Sequence, residues 1–399
     1  MKIFFITSKL NFTKSGGSIE EIDFIIRNLQ KQGNEVVVVT AYSSANHIPD
    51  SLPYRVVPEQ IKSSGYFGIQ REVIALLNKY SNQADIFHID AHLFMYGAGF
   101  WRWRGGKVPV VAFFNQFLTC WPQYISSLFP QSKKSLRKHL KEKIRWYIER
   151  YFGIFLSNRI DLFSFVSPTL RGMYKDFGLR MNENNSLVIG DPIDFKKIME
   201  ENGITIDSYA RRNKQNGPIT LFYSSRMSPG KGFDIFLKGF SLVKNKDNFK
   251  VILGGTGPEE KYVRQMAKDL RLEKYVEIPG WVTKEKLYNY YKTADVFIQA
   301  DWWPAGTSIS LLYALAFGLP SILPGGGGLQ WNAGSSALYF NYRDCNDLAK
   351  KIEELGRNYE LREELSHNCF LRLATEDFNY EKQINHLYQE MQQLIDFEG

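Results

Sequence analysis

The chain has 399 residues, of which 44% are hydrophobic and 23% charged, which is too long for one ordinary core and about right for two soluble domains. No uninterrupted apolar run approaches the roughly 18 residues of a membrane-spanning helix, and three cysteines without paired spacing argue against a disulfide framework or a zinc site and for a reducing cytosol. The net charge of +8 favours an anionic partner: a nucleotide, a phospholipid surface or a nucleic acid.

The opening segment, MKIFFITSKLNF, lacks the long apolar region and the small-residue cleavage site of a signal peptide, and reads as a first buried strand. A Gly-Gly loop and a helix from about Ile19 follow. Next come the apolar runs EVVVVT, DIFHI, VPVVAFF and LFSFV, with helical patterns between them. A looser polar stretch from Glu200 to Gly217 precedes a restart: ITLFYSS, a glycine-containing loop and a helix, then FKVILGG, YVEIP, DVFIQA and PSILP. Short apolar strands alternating with helices predict α/β architecture, with parallel sheets covered on both faces. The restart makes two doubly wound domains, 1–195 and 196–377, with a polar-faced helix over about 378–399 packing back on the first. Ligands are expected at the strand C-terminal edges and in the cleft between the domains.

The segment around AGTSISLLYALAFG, Ala305 to Gly318, carries the clearest chemistry. The DVFIQA strand runs into a Pro-Ala-Gly-Thr-Ser turn, and a helix opens with Ser308 and Ser310 in its first turn. Unpaired N–H groups and the positive end of a helix dipole make that a site for phosphate. Sugar and ribose hydroxyls also need acceptors, yet no Glu occurs between Glu285 and Glu353. Arg226 and Lys231 flank the loop after ITLFYSS. Two cations there, facing the helix end at Thr307, would hold a diphosphate and stabilise it as a leaving group; the alternative is a pair of solvated loop charges. Gly254, Gly255 and Gly257 allow a tight turn near the nucleotide, or a turn alone.

Two features lie in the first half. In DIFHIDAH, strand alternation puts His88 and Asp90 on one face at a strand end, close to His92. Asp90 would orient an acceptor hydroxyl or, the favoured reading, cap the following helix. SKKSLRKHLKEKIRWYIERYF sets Lys133, Lys134, Arg137, Lys138, Lys141, Lys143, Arg145 and Arg150 against two glutamates, with Leu136, Leu140, Ile144, Tyr147, Ile148 and Tyr151 on one helical stripe. The stripe is expected to pack inward while the charges touch anionic phospholipid, with Trp101 and Trp103 of FWRWRGG as an interfacial anchor. No nucleic-acid motif accompanies the basic residues.

Four stretches together, GGSIEEIDFIIRNLQKQGNEVVVVT, SSRMSPGKGFDIFLKGF, the LGGTGPEE-to-DVFIQA segment and GTSISLLYALAFGLPSILPGGG, are specific. The chain resembles the retaining GT-B glycosyltransferases of family 4 (glycosyl transferases group 1). The resemblance implies two Rossmann-like domains facing a central cleft and a nucleotide-sugar donor, with no metal or other cofactor. Gly16 and Gly17 match the family's flexible loop over the donor phosphates. Gly280, Trp281 and Val282 fall where the base is read through backbone groups, although Trp281 also suits a core or interface aromatic. The family's paired glutamates are replaced by Ala305 and Tyr313, and its N-domain histidine by Asn115. The resemblance then gives Gly306, Thr307 and Ser308 to the diphosphate, Tyr313 to the ribose and Asn115 to the reacting centre, with Asp301 the nearest carboxylate for partial substitution. It implies transfer of a hexose, with retention, to a glycan or lipid-linked acceptor in cell-surface polysaccharide or glycolipid synthesis. The setting would be cytoplasmic, peripheral at the inner face of the membrane through helix 133–150. The competing expectation is a non-catalytic relative that binds a glycan or a partner subunit.

Overall fold

The computed structural model describes residues 1–13, 18–90, 92–115, 136–210, 217–301 and 306–398. The chain divides into two units, Met1–Pro192 with Asn379–Gly399, and Ile193–Phe378.

Unit 1 holds a seven-stranded parallel sheet built from β1 (Lys2–Thr7), β2 (Glu35–Thr40), β3 (Arg55–Pro58), β4 (Ile86–Ile89), β5 (Val110–Phe114), β6 (Leu162–Phe165) and β7 (Ser186–Val188). The strand order is β3-β2-β1-β4-β5-β6-β7. β1, β2, β4, β5 and β6 are buried almost throughout, as strands covered on both faces must be. Ile3 and Phe5 of β1 and Val36 and Val38 of β2 meet Ile22, Ile25, Ile26 and Leu29 of the helix Ser18–Lys31. The helix Tyr380–Glu398 adds Ile384, Leu387 and Met391 to that same core. Each such burial stabilises by about 1.5–3 kcal/mol.

Unit 2 holds a six-stranded parallel sheet, β8 (Ile219–Ser224), β9 (Phe249–Gly254), β10 (Val276–Gly280), β11 (Val296–Ile298), β12 (Ser321–Pro324) and β13 (Ala337–Phe340), in the order β10-β9-β8-β11-β12-β13. In each sheet the chain winds one way from one inner strand and then the other way from its neighbour. The reversal lies between β1 and β4 in unit 1 and between β8 and β11 in unit 2. Loops leave such a point in opposite directions and open a crevice at the strand C-terminal ends.

The apolar stripe does not pack inward. Along the helix Leu136–Tyr147 and the π-helical turn Ile148–Gly153, Leu140, Ile144, Tyr147 and Tyr151 are 56%, 51%, 47% and 64% exposed. Phe152 and Phe155 beyond them are exposed as well. The inward face is instead organised by Glu149, fully buried and held by Arg145 Nε at 2.7 Å. Arg145 also lies over the Tyr66 ring. The aromatic flank divides likewise. Trp101 is a core residue whose indole N–H donates to Asn78 Oδ1 at 2.8 Å, and only Trp103 is exposed. Lys133 and Lys134 lie outside the described residues, and so do the side chains of Leu136, Arg137 and Lys138.

Candidate active site

In unit 2 three loops meet at the ends of β8, β9 and β11. The loop after β8 is folded on itself by Ser228 N donating to the Arg226 carbonyl at 2.8 Å and Lys231 N to the Ser228 carbonyl at 3.2 Å. It is laced to the loop after β9 by Met227 N donating to the Thr256 carbonyl at 2.9 Å. Gly255 permits the approach: at φ 113° any Cβ would sit 1.9 Å from the Ser225 carbonyl oxygen. Gly255 N in turn donates to the Gly280 carbonyl at 2.8 Å, and Val282 is buried against Gly254. The structure therefore brings Arg226, Gly255, Gly280 and Val282 to one sheet edge. Trp281 beside them is 54% exposed, so it is not a core aromatic.

The helix Ile309–Ala316 begins at the same edge. Ser308 is its N-cap and accepts from Leu311 N, and Ser310 Oγ donates to the Ser224 carbonyl at 2.8 Å, which ties the first turn to the end of β8. Gly306 and Thr307 precede it, with open space where a Cβ of Gly306 would stand. Tyr313 lies farther along, buried, with ring centroids 5.6 Å from Tyr288 and 5.9 Å from Tyr291. Its ring belongs to that aromatic cluster. Ala305 lies outside the described residues.

The two cations differ. Arg226 is exposed, and Lys231 Nζ is paired with Asp301 Oδ2 at 2.8 Å. Asp301 is buried, and its Oδ1 accepts from Tyr223 Oη at 2.7 Å. Burial, reinforced by the charge of Asp301, holds the Tyr223 phenol well above its usual range, so it serves as a donor. Asp301 thus faces Lys231 and Tyr223. Sequence reading missed Tyr223, because a tyrosine in ITLFYSS looks like strand packing and nothing local marks an inward hydroxyl.

Unit 1 has its own polar cluster at its reversal point. Asp90, directly after β4, accepts from Thr7 Oγ1 at the end of β1 at 3.0 Å; this bond replaces the expected cap on the next helix. Asp90 Oδ1 is buried with no partner among the described residues, and the same holds for Glu21 Oε1 in the first turn of the helix Ser18–Lys31. Burial pushes the Asp90 carboxyl up to about 7, against the pull of Thr7. Burial, then the charges of Asp191 and Asp90, raise Glu21 well above the carboxylate range. Sequence reading did not connect Glu21 and Asp191 to Asp90, since 69 and 101 positions separate them. His88 stacks on Phe5 at 4.0 Å, and burial pushes its imidazole down to about 3, so it is neutral. Asn115, half-buried, follows β5 directly. Gly16, Gly17 and the side chain of His92 lie outside the described residues. Among the described residues no group of three or more His, Cys, Asp or Glu is placed to hold a metal ion, and no helix is long and apolar enough to cross a membrane.

Residues 206–371 match the model of glycosyl transferases group 1, and residues 22–196 match that of glycosyltransferase family 4. The chain belongs to the family 4 glycosyltransferases. It is a nucleotide-sugar-dependent transferase whose two parallel-sheet units have the GT-B fold. The alpha-monoglucosyldiacylglycerol synthase of Streptococcus pneumoniae is 24% identical over 392 residues, covering 94% of this chain and 83% of that protein. The Acholeplasma laidlawii synthase of the same name is 21% identical, covering 88% of each. Among solved structures, Anabaena HepE in complex with UDP and glucose superposes with a TM-score of 0.71 at 15% identity, over 98% of this chain and 100% of that one. The sucrose-phosphate synthase of Thermosynechococcus elongatus gives 0.74 at 16%, over 99% of each.

Proposed function

We propose that this glycosyltransferase moves a hexose, with retention, from a nucleoside-diphosphate sugar to a hydroxyl of a lipid-linked or glycan acceptor in glycolipid or polysaccharide synthesis. The observation that carries the reading is that the β8 loop bearing Arg226 and Lys231 and the N-terminus of the helix Ile309–Ala316 lie at the reversal point of unit 2, joined by Ser310 Oγ to the Ser224 carbonyl and by Lys231 to Asp301. Cations and oriented N–H groups at that point suit a diphosphate, and stabilising charge on the leaving group is what the chemistry needs. The bond from the anomeric carbon to the diphosphate oxygen breaks, and its electron pair stays with the diphosphate. The acceptor oxygen bonds the same carbon on the same face, and its proton passes to the departing phosphate oxygen. Gly306, Thr307 and Ser308 would hold the diphosphate through their backbone. The Gly280–Val282 segment would take the base, and the Tyr313 hydroxyl the ribose. Asn115 would contact the reacting sugar, and Asp90 an acceptor hydroxyl. The lipid direction is supported by two relatives that are, by name, alpha-monoglucosyldiacylglycerol synthases.

The same reading places the enzyme on an anionic membrane surface. Exposed Leu140, Ile144, Tyr147 and Tyr151, interleaved with Lys141 and Lys143, form an apolar face edged with positive charge.

Calorimetric titration with UDP, GDP and ADP, repeated on Arg226→Ala, tests the donor site. Micromolar binding of one nucleotide, lost in the variant, is the expected result. No binding by any of the three at millimolar concentration would refute the donor site and turn the search to non-catalytic partners.

A further inference from the structure

Lys231 has a long flexible stem, is only partly buried, and yet is fixed in one place. Its ammonium pairs with Asp301 Oδ2 at 2.8 Å. Asp301 is buried, and Tyr223 holds its other oxygen at 2.7 Å. Tyr223 is fully buried, with its ring stacked on Phe233 at 4.7 Å, so the hydroxyl does not wander. Tyr223 Oη also lies 2.9 Å from the carbonyl oxygen of Lys231. The two loops that carry Lys231 and Asp301 leave adjacent strands, since β8 pairs with β11 through Leu221 and Val296 and through Phe222 and Phe297. An ammonium has three hydrogens, and one carboxylate contact leaves two for phosphate oxygens.

We infer that Asp301, anchored by Tyr223, is a positioning residue for Lys231: it holds the ammonium at the reversal point of unit 2 where the donor's diphosphate is to bind. The inference rests on the donor-site reading above. It also reassigns the carboxylate nearest the turn, from reading sugar hydroxyls to aiming a cation. A rival account has the opposite sign: an aspartate beside a diphosphate repels it. Two facts favour positioning. The Asp301 charge is already matched by Lys231, and both of its oxygens are committed to contacts inside the unit. Without Asp301 the ammonium is free to swing into water, and the side-chain order that favours diphosphate binding is lost.

The test is a double-mutant cycle on the full chain, read by titration with UDP, GDP and ADP and with the matching nucleoside monophosphates. Asp301→Ala is expected to weaken diphosphate binding at least tenfold and to leave monophosphate binding within twofold, a split that general loss of structure would not produce. In the Lys231→Ala background the same substitution is expected to change nothing beyond twofold. Asp301→Asn and Tyr223→Phe, which keep the shape, are expected to give smaller losses that also vanish without Lys231, and they carry the test if Asp301→Ala does not fold. Tighter diphosphate binding in Asp301→Ala, or an equal loss in both backgrounds, would overturn the positioning role while leaving the donor site standing. No nucleotide binding by the unsubstituted chain would overturn the donor site and this inference together.

Discussion

A Cβ on Gly232 would stand 1.7 Å from the carbonyl oxygen of Ala300, and Gly232 itself sits at φ 66°. The loop after β8 therefore touches the loop after β11 backbone to backbone, one residue from each member of the Lys231–Asp301 pair. Gly232→Ala adds both left-handed strain and a clash with backbone that has no flexible end to yield. It is expected to lower unfolding free energy by roughly 2–5 kcal/mol and to weaken nucleoside-diphosphate binding at the same time. Urea denaturation measures the first; a loss under about 0.5 kcal/mol would show that the loops part at little cost.

Arg226 and Lys231 are separable by their surroundings. Removing a hydrogen bond to a charged partner costs about 1.5–3 kcal/mol, so Arg226→Ala and Lys231→Ala are each expected to weaken diphosphate binding about ten- to a hundredfold and to depress turnover. Arg226 is exposed, and its removal should leave stability within about 0.5 kcal/mol. Unchanged turnover in either variant would remove that residue from the site.

Asp90 makes a pH signature. Its carboxyl is raised to about 7 by burial, so between the ordinary aspartate range and 7 the folded chain binds more protons at this site than the unfolded chain. The neutral acid therefore favours folding at low pH, and that contribution is lost as pH rises through about 7. The Asp90→Asn variant keeps an acceptor for Thr7 Oγ1 and carries no charge at any pH. It is expected to flatten the decline in stability between about pH 4 and 7 and to gain up to about 4 kcal/mol above it. Glu21, also raised and facing Asp90 and Asp191, should retain its own part of the slope. Denaturation midpoints of both proteins across that range decide the matter; parallel curves would show that Asp90 ionises normally.

The exposed stripe predicts surface behaviour without a stability change. Replacing Ile144, Tyr147 and Tyr151 by Ser should abolish sedimentation with phosphatidylglycerol vesicles while leaving the melting temperature nearly unchanged, because these side chains already face water. Lys141→Glu with Lys143→Glu should weaken vesicle binding by about 1 kcal/mol per residue, more at low salt. Trp101→Ala is the contrast: a core truncation expected to cost about 3–5 kcal/mol. Vesicle binding indifferent to the stripe would remove it as the membrane face.

The inner strands were readable because burial on both faces writes itself as continuous apolar runs: KIFFIT, EVVVVT and ITLFYSS are all strands as expected. The three strands that reading passed over, β3, β7 and β13, all lie at sheet edges. An edge strand is short or half-solvated, and RVVP and SLV carry too little pattern to stand out. The stripe at Leu140 to Tyr151 was legible as a stripe but not as to direction. Periodicity says which residues share a face, and the pairing of Arg145 with the buried Glu149, which turns that face outward, leaves no mark in the period. The strand-turn-helix pattern around Ser308 was legible as such, and the helix Ile309–Ala316 follows β11 as expected. The Lys231–Asp301–Tyr223 contacts were not legible, because they join residues up to 78 positions apart whose side-chain directions only the fold determines.

The helix Tyr380–Glu398 sets an order of events during synthesis. Unit 2 is one unbroken stretch, Ile193–Phe378, and all of its strands are available before residue 380 is made. Unit 1 begins first but waits: Ile384, Leu387 and Met391 complete the core that Ile3, Phe5 and Ile22 start. On the ribosome, the half translated earliest is thus the half completed last, and a nascent chain halted before residue 384 would carry a closed unit 2 beside a unit 1 with an open seam of apolar side chains.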